Sequence, residues 1–343
     1  MDEILFIGPV AQTGGPAIKN RILIDYLRKY ASLELWNTYD KSIKARVGAI
    51  CKILFSKQKY IIIAVSRKGR NLLYPILLLK HKISGCKYSC VVIGGQAVDS
   101  FKNKSSIKAL HYADVVTVET EGLKAQMEES FSLANIHWMP NYKEMEKNTL
   151  VVVDAESFEN QKMRMLFLSS MRDLKGVKTL FEAFKKCRAS GQDIELDYYG
   201  PIKKDFDQTL LAEIEKTEGV RYCGAVDNDK VLDVMSQYQV FVFPTEYPHE
   251  GFPAVLVEAL ATGLPVIASD INYNGEVIKD NQNGFVFAHG NIEQLAEKMG
   301  YCYEHRTELE IISRRNLSEA KKYNAKVVID NYLTVLRKEG WPV

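Results

Sequence analysis

Residues 240–270 read VFVFPTEYPHEGFPAVLVEALATGLPVIASD, and the way this stretch folds decides the architecture. Val240–Phe243 is a short apolar run of β-branched and aromatic residues, the pattern of a buried strand. A polar turn follows. Pro253 marks the start of a helix, because a residue without an amide donor suits the first helical position. Gly263 is placed to end that helix, and Pro265 opens the next strand, Pro265–Ile267. Strand, helix and strand in one short stretch form a crossover unit, which calls for a parallel sheet.

The same alternation extends outward. Strands are expected at Ile4–Ile7, Leu33–Trp36, Tyr60–Val65, Tyr88–Ile93 and Val115–Val118. A second series runs through Arg164–Ser169, Glu195–Tyr199, Val220–Tyr222 and on to Gly284–Phe287, with helical phasing between strands, as in Ala17–Tyr30. The chain has 343 residues and a mass of 39.0 kDa, enough for two doubly wound domains rather than one. The boundary falls in the polar stretch 140–163, with an edge strand expected at Leu150–Val153. This divides the chain into residues 1–145, 146–322 and a terminal segment 323–343 carrying the helix Asn324–Lys338. Neither half contains GxGxxG or GxxxxGK[ST], so neither common nucleotide fingerprint applies.

Composition narrows the class. With 46% hydrophobic and 26% charged residues, the chain is an ordinary folded protein, not a disordered, collagenous or coiled-coil one. The longest apolar runs, Ile61–Val65 and Pro75–Leu79, fall far short of the roughly 20 residues of a membrane span. The acidic opening residues do not read as a signal peptide. Six cysteines, at 51, 86, 90, 187, 223 and 302, form no CxxC pair and are expected as reduced thiols in a cytoplasmic protein.

A net charge of +2 conceals an asymmetry: residues 1–146 carry +8 and residues 147–343 carry −6. No acidic residue lies between Lys41 and Val98, where twelve basic residues occur, including Lys44, Arg46, Lys52, Lys57, Lys59, Arg67, Lys68, Arg70, Lys80, Lys82 and Lys87. Such a stretch attracts an anionic partner. Within it, Ile43, Val47, Ile50 and Leu54 stand at helical spacing, the pattern of a basic amphipathic helix on anionic lipid. The plainer reading packs that apolar stripe against the helix's own domain. No nucleic-acid-binding motif accompanies the charge, so nucleic acid is not expected.

The chemistry concentrates in the opening stretch. Glu250 falls in the loop before the helix and Glu258 about a turn and a half inside it, so two carboxylates are positioned to hold different hydroxyls of one molecule. The free amides of Gly251, Phe252 and Ala254, at a helix N-terminus, suit an anion or a sugar. EGFP, EALATGLPVIAS and the later Asn283–Phe287 (NGFVF) together resemble the Glu-x7-Glu region of the retaining glycosyltransferases of family 4, also called group 1, of GT-B fold. The resemblance implies two Rossmann-like α/β domains with an interdomain cleft, and a terminal helix crossing back to the first domain. By position, Glu250 would contact the donor sugar and Glu258 the ribose hydroxyls. Met163–Phe184 (MRMLFLSSMRDLKGVKTLFEAF) is similar to the family's diphosphate-gripping strand, loop and helix, which brings in Lys175 and Arg172. Ser170 stands where the family's phosphate-binding arginine is usual, with Arg172 two residues on as its substitute.

The loop GPVAQTGGPAIKNR resembles the family's glycine loop, with Gly14 and Gly15 allowing close backbone approach to a diphosphate. The donor set implied is therefore Gly14, Gly15, Gly200, Gly251, Phe252, Ala254 and Glu258, with Glu250, Lys175 and Arg172 as the catalytic set. Gln96 and His249 are assigned to the acceptor. Many relatives carry a histidine after the fourth strand; this chain has Gly94-Gly95-Gln96 there. Asp227-Asn228-Asp229 matches a metal signature of a different fold and is read as a helix cap opening at Lys230; no metal or cofactor is expected.

The resemblance implies a hexosyltransferase moving a sugar from a UDP-sugar to a glycan or lipid-linked acceptor in bacterial polysaccharide synthesis, and the basic stretch 41–87 suggests an anionic membrane surface as a further partner. Two other readings remain: a nucleotide-sugar epimerase or hydrolase on the same fold, and a non-catalytic relative that binds the nucleotide sugar.

Overall fold

The computed structural model describes residues 3–11, 14–40, 42–95, 97–145 and 162–343. They form two compact units, one of residues 1–142, 249–252 and 325–343 and the other of residues 143–248 and 253–324. The expected strand at Leu150–Val153 lies outside the described residues, as does Gln96.

In the first unit the strands are β1 (Glu3–Gly8), β2 (Ser32–Asn37), β3 (Tyr60–Val65), β4 (Lys87–Val92), β5 (Val115–Val118) and β6 (Ile136–Trp138). They form a parallel sheet in the order β2-β1-β3-β4-β5-β6. The connections are α1 (Gly15–Leu27), α2 (Ile43–Phe55), α3 (Arg67–Ser84), the short α4 (Ala97–Ser100), α5 (Lys104–Tyr112) and α6 (Glu121–Phe131). Every residue of β3 is buried, which is why it reads as an unbroken apolar run. Strand order reverses between β1 and β3, so the loop leaving β1 opens at a switch point.

The second unit repeats the plan. Its strands are β7 (Met163–Leu168), β8 (Ile194–Tyr199), β9 (Val220–Tyr222), β10 (Val240–Phe243), β11 (Val266–Ser269) and β12 (Gly284–Phe287), in the order β12-β11-β10-β7-β8-β9. Its helices are α7 (Val177–Ala189), α8 (Gln208–Lys216), α9 (Val231–Met235), α10 (Ala254–Ala261), α11 (Asn274–Val277), α12 (Ile292–Glu304) and α13 (Arg306–Ala320). Here the reversal lies between β7 and β10. A final helix, α14 (Ala325–Lys338), belongs to the first unit, where Ile329, Leu333 and Leu336 join Phe6, Ile62 and Val91 in one core.

The sequence does not mark β6, which at three residues is too short to show a periodicity, and three local expectations need correction. Pro253 is the extended cap of α10 (φ −68°, ψ 117°) rather than its first helical residue, because its backbone has not yet turned. Asp229 caps nothing: α9 starts after Lys230 with no side-chain cap, the Lys230 amide donating to the Asp227 carbonyl in a turn. The α2 stripe is divided. Ala49 and Ile53 are the buried residues, while Ile43 and Val47 face solvent. Gly48 explains the choice of face, since a Cβ there would come within 2.3 Å of the Trp36 ring.

Candidate functional site

The loops leaving β7 and β10 start side by side at the second unit's switch point, where doubly wound sheets bind ligands. After β7 the chain makes one 3-10 turn, Asp173–Lys175, and enters α7 through Gly176. Gly176 has φ +71°, and a Cβ would lie 1.9 Å from the Pro244 carbonyl oxygen, so glycine alone permits this approach. Gly200, at the end of β8, has φ +138° and would drive a Cβ to 1.8 Å from the Ser169 carbonyl oxygen. Both glycines therefore bring strand ends together in a way no other residue allows.

Lys175 stands at the N-terminus of α7, its ammonium 5.1 Å from the centre of the Tyr247 ring. Positive charge beside the free amides of a helix start makes an anion site. Arg172, earlier on the same loop, places Nε 3.1 Å from Asp205 Oδ2 without hydrogen-bond alignment. That partner is exposed, so the interaction is weak and the guanidinium is only lightly held. Thr179 on α7 donates to Glu246 at 2.5 Å, tying the two switch-point loops together.

Glu258 lies on α10, which begins at Ala254 and ends in a left-handed Gly263 (φ +72°). The Leu264 amide donates to Ala259 and the Gly263 amide to Leu260, closing the helix end. The Glu258 side chain is buried rather than on the helix surface, and its Oε1 accepts a 2.7 Å hydrogen bond from Lys143 Nζ. Burial pushes the Glu258 carboxyl above its ordinary range, and the Lys143 ammonium offsets part of that rise. Lys143 escaped the sequence reading because it sits alone in a polar stretch, 115 positions from its partner.

In the first unit, Gly14 caps α1 in a left-handed conformation (φ +90°), with Gly15 and Pro16 exposed beside it. A Cβ on Gly14 or Gly15 would meet no described atom within 4 Å, so these glycines line open space. Below them Lys19 and Glu119 form a buried ion pair at 3.0 Å, and Glu119 also accepts from the Gly94 amide at 2.9 Å. Of the loop residues grouped with this unit, Phe252 is buried, Glu250 half-buried and His249 exposed. A Cβ on Gly95 would lie 2.2 Å from the Glu250 carbonyl oxygen, and one on Gly251 would lie 3.0 Å from Glu119 Oε2. Gly94-Gly95 thus provides the close backbone approach that a histidine at Gly95 would block. Glu119 is the one carboxylate here that no sequence pattern marked.

The acid-free run is less uniform than its charge. Lys52 pairs with Glu34, Lys80 donates to the Ser56 carbonyl at 2.8 Å, Lys87 donates to the Glu339 carbonyl, and Arg70 is buried. Lys44, Arg46, Lys57, Lys59, Arg67, Lys68 and Lys82 remain exposed. Between them, Ile43, Phe55 and Ile83 expose 77%, 79% and 73% of their surface. Among the described residues no group of three His, Cys, Asp or Glu is placed to hold a metal, and no helix is long and apolar enough to cross a membrane.

The family model for glycosyl transferases of group 1 matches residues 152–324, half of the chain and nearly all of the second unit. Among curated proteins, the amylovoran biosynthesis glycosyltransferase AmsK of Erwinia amylovora is 26% identical over 159 residues, 45% of this chain and 38% of that protein. The poly(glycerol-phosphate) alpha-glucosyltransferase of Bacillus subtilis is 26% identical over 184 residues, 52% of this chain and 26% of that protein. The matched region therefore spans well under half of either relative. Among solved structures, HepE of Anabaena in complex with UDP superposes with a TM-score of 0.78 at 14% identity, covering 98% of this chain and 100% of that one. Sucrose-phosphate synthase of Thermosynechococcus elongatus gives 0.78 at 15%, covering 98% and 99%. At such identities the likeness is one of fold, and that fold is GT-B. With two parallel six-stranded sheets and a family match over the unit that carries Lys175 and Glu258, this chain belongs to the group 1 glycosyl transferases.

Proposed function

We propose that this protein is a retaining, metal-independent hexosyltransferase that moves a sugar from a UDP-sugar to a glycan or lipid-linked acceptor in bacterial surface polysaccharide synthesis. The observation that carries this reading is the second unit's switch point, where Lys175 at a helix start and the buried Glu258 flank one set of strand ends. The names of the curated relatives and the UDP in the Anabaena structure support the substrate class.

The donor's ribose hydroxyls donate to Glu258, and the backbone at Gly200 accommodates the nucleotide. As the bond from the sugar's anomeric carbon to the diphosphate oxygen breaks, its electron pair stays on that oxygen. Lys175, Arg172, the α7 amides and the amides of Gly14, Gly15, Gly251, Phe252 and Ala254 stabilise the charge that develops. Glu250 orients the sugar, whose ring gains positive charge. The acceptor hydroxyl, held by Gln96 and His249, attacks from the same face and passes its proton to the departing phosphate oxygen. Configuration is then retained.

A thermal-shift screen with UDP, GDP, ADP, CMP and their sugars, without and with Mg²⁺, tests the donor site. UDP at about a hundredfold over its dissociation constant adds about 2.7 kcal/mol. The expected result is a metal-independent rise in Tm with UDP that Glu258→Ala and Lys175→Ala abolish; no rise with any nucleotide or nucleotide sugar would overturn the donor-site reading. Sugar release from UDP-sugar without acceptor would instead favour a hydrolase.

The exposed apolar and basic residues of α2 and α3 support contact with the anionic inner face of the plasma membrane, where each basic residue near the surface contributes about 1 kcal/mol. The protein is expected to sediment with vesicles containing phosphatidylglycerol at low salt, and Phe55→Ser with Ile83→Ser to weaken this severalfold. Equal sedimentation with neutral vesicles would sink the electrostatic part.

A further inference from the structure

A ribose presents two neighbouring hydroxyl donors, and a carboxyl group accepts both strongly when it is ionised and acceptor-only. Burial works against ionisation, so a buried carboxylate in that role needs a fixed cation. Glu258 has one: Lys143, on Oε1 at 2.7 Å, while Oε2 has no partner among the described residues. Lys143 is itself well anchored. Its amide donates to the Tyr323 carbonyl at 3.2 Å, and it pairs with Asn324 in an isolated parallel bridge. Its ammonium has the Asn228 carbonyl and Oδ1 at 3.4 and 3.5 Å. Three separated segments of the second unit, around residues 143, 228 and 324, thus converge behind one carboxylate on α10.

We infer that Lys143 is a positioning residue for the nucleotide: it holds the Glu258 carboxylate charged and turned so that Oε2 receives the ribose hydroxyls. This rests on the reading of Glu258 as the ribose contact. It gives the Asp227–Asp229 segment a function other than metal binding, because Asn228 offers the Lys143 ammonium its carbonyl and Oδ1 as further acceptors.

The probe pair is UDP and 2′-deoxy-UDP, titrated calorimetrically against the unaltered protein, Lys143→Met, Lys143→Arg and Glu258→Gln from about pH 6 to about pH 8.5. The unaltered protein should prefer UDP by about tenfold or more, the effect of one hydrogen bond to a charged group, with a ratio flat across this range. Lys143→Met should bring the ratio towards one at the acid end and recover part of it as pH rises and the unshielded carboxyl ionises. Lys143→Arg should keep most of the preference.

A Lys143→Met protein that weakens both nucleotides alike, with the ratio intact, would show a merely structural lysine and overturn the inference. If that variant fails to fold, the arginine variant and the pH profile of the unaltered protein decide; a ratio that climbs steadily with pH while Lys143 is present overturns it too. A Glu258→Gln protein with an unchanged ratio, or no UDP binding by the unaltered protein, fails the ribose reading itself, and the inference falls with it.

Discussion

Glu258 shows how one side chain can be costly to the fold and useful to the site. Its raised carboxyl pKa means that the folded protein holds this proton more tightly than the unfolded chain does. By linkage, the stability associated with that proton is complete below the unfolded carboxyl pKa and is lost as pH rises through the folded one. Urea unfolding midpoints of the unliganded protein should therefore fall, relative to Glu258→Gln, as pH climbs from about 4 towards neutrality. A gap between the two proteins that stays constant over this range would mean that Lys143 compensates the burial fully. The Lys19–Glu119 pair is a second buried charge pair, and there both groups are sealed together with the Gly94 amide as an extra donor.

At the scale of elements, the second sheet is pinned on one face by a charged cluster. Asp197 in the middle of β8 is buried and accepts from Arg221 of β9 at 2.8 and 2.7 Å and from the Tyr238 hydroxyl at 2.6 Å, with Arg164 of β7 at 3.4 Å. Burial alone would raise the Asp197 pKa, but the hydrogen bonds from Arg221 and Tyr238 outweigh it and hold the carboxyl low. Three strands and the segment before β10 thus share one carboxylate. Asp197→Asn should destabilise the protein by about 3 kcal/mol, the lower end for breaking a buried pair because Arg221 is largely exposed. The sign with pH follows from the lowered pKa: the contribution is present above the unfolded carboxyl pKa and disappears as pH falls through the folded one. Chemical denaturation near neutral and at about pH 3 checks both parts, since the difference between the proteins should shrink in acid.

At the scale of the molecule, the chain returns to its first unit at the end. Ala325, Val328, Ile329, Tyr332, Leu333 and Leu336 of α14 are all buried in that unit's core, and the Tyr332 hydroxyl donates to Ser89 at 2.8 Å. Burying each larger apolar side chain contributes about 1.5–3 kcal/mol, so together they rival the about 5–15 kcal/mol by which a whole domain is stable. A chain ending at Asn324 should lose the cooperative melting of the first unit while the second still unfolds as a unit. Differential scanning calorimetry would report this as a diminished, single remaining transition, and an unchanged profile would contradict it.

Much of this protein is determined by local order in its sequence. Strands buried on both faces must be apolar throughout, which is why Tyr60–Val65 and Val240–Phe243 are legible, and glycine and proline punctuation marks the ends of α10 closely. The spacing of Glu250 and Glu258 likewise places one carboxylate on a loop and the other on a helix. Tertiary structure alone decides what lies far apart in the chain or depends on a neighbour's shape. Helical spacing shows that α2 has an apolar stripe but not which face is covered; that depends on Trp36 meeting Gly48, and it leaves Ile43 and Val47 outside. No periodicity pairs Lys143 with Glu258 or Lys19 with Glu119, across 115 and 100 positions. Those ion pairs exist because the folded backbone brings buried charges within reach of each other, where an unpaired charge would be too costly to keep.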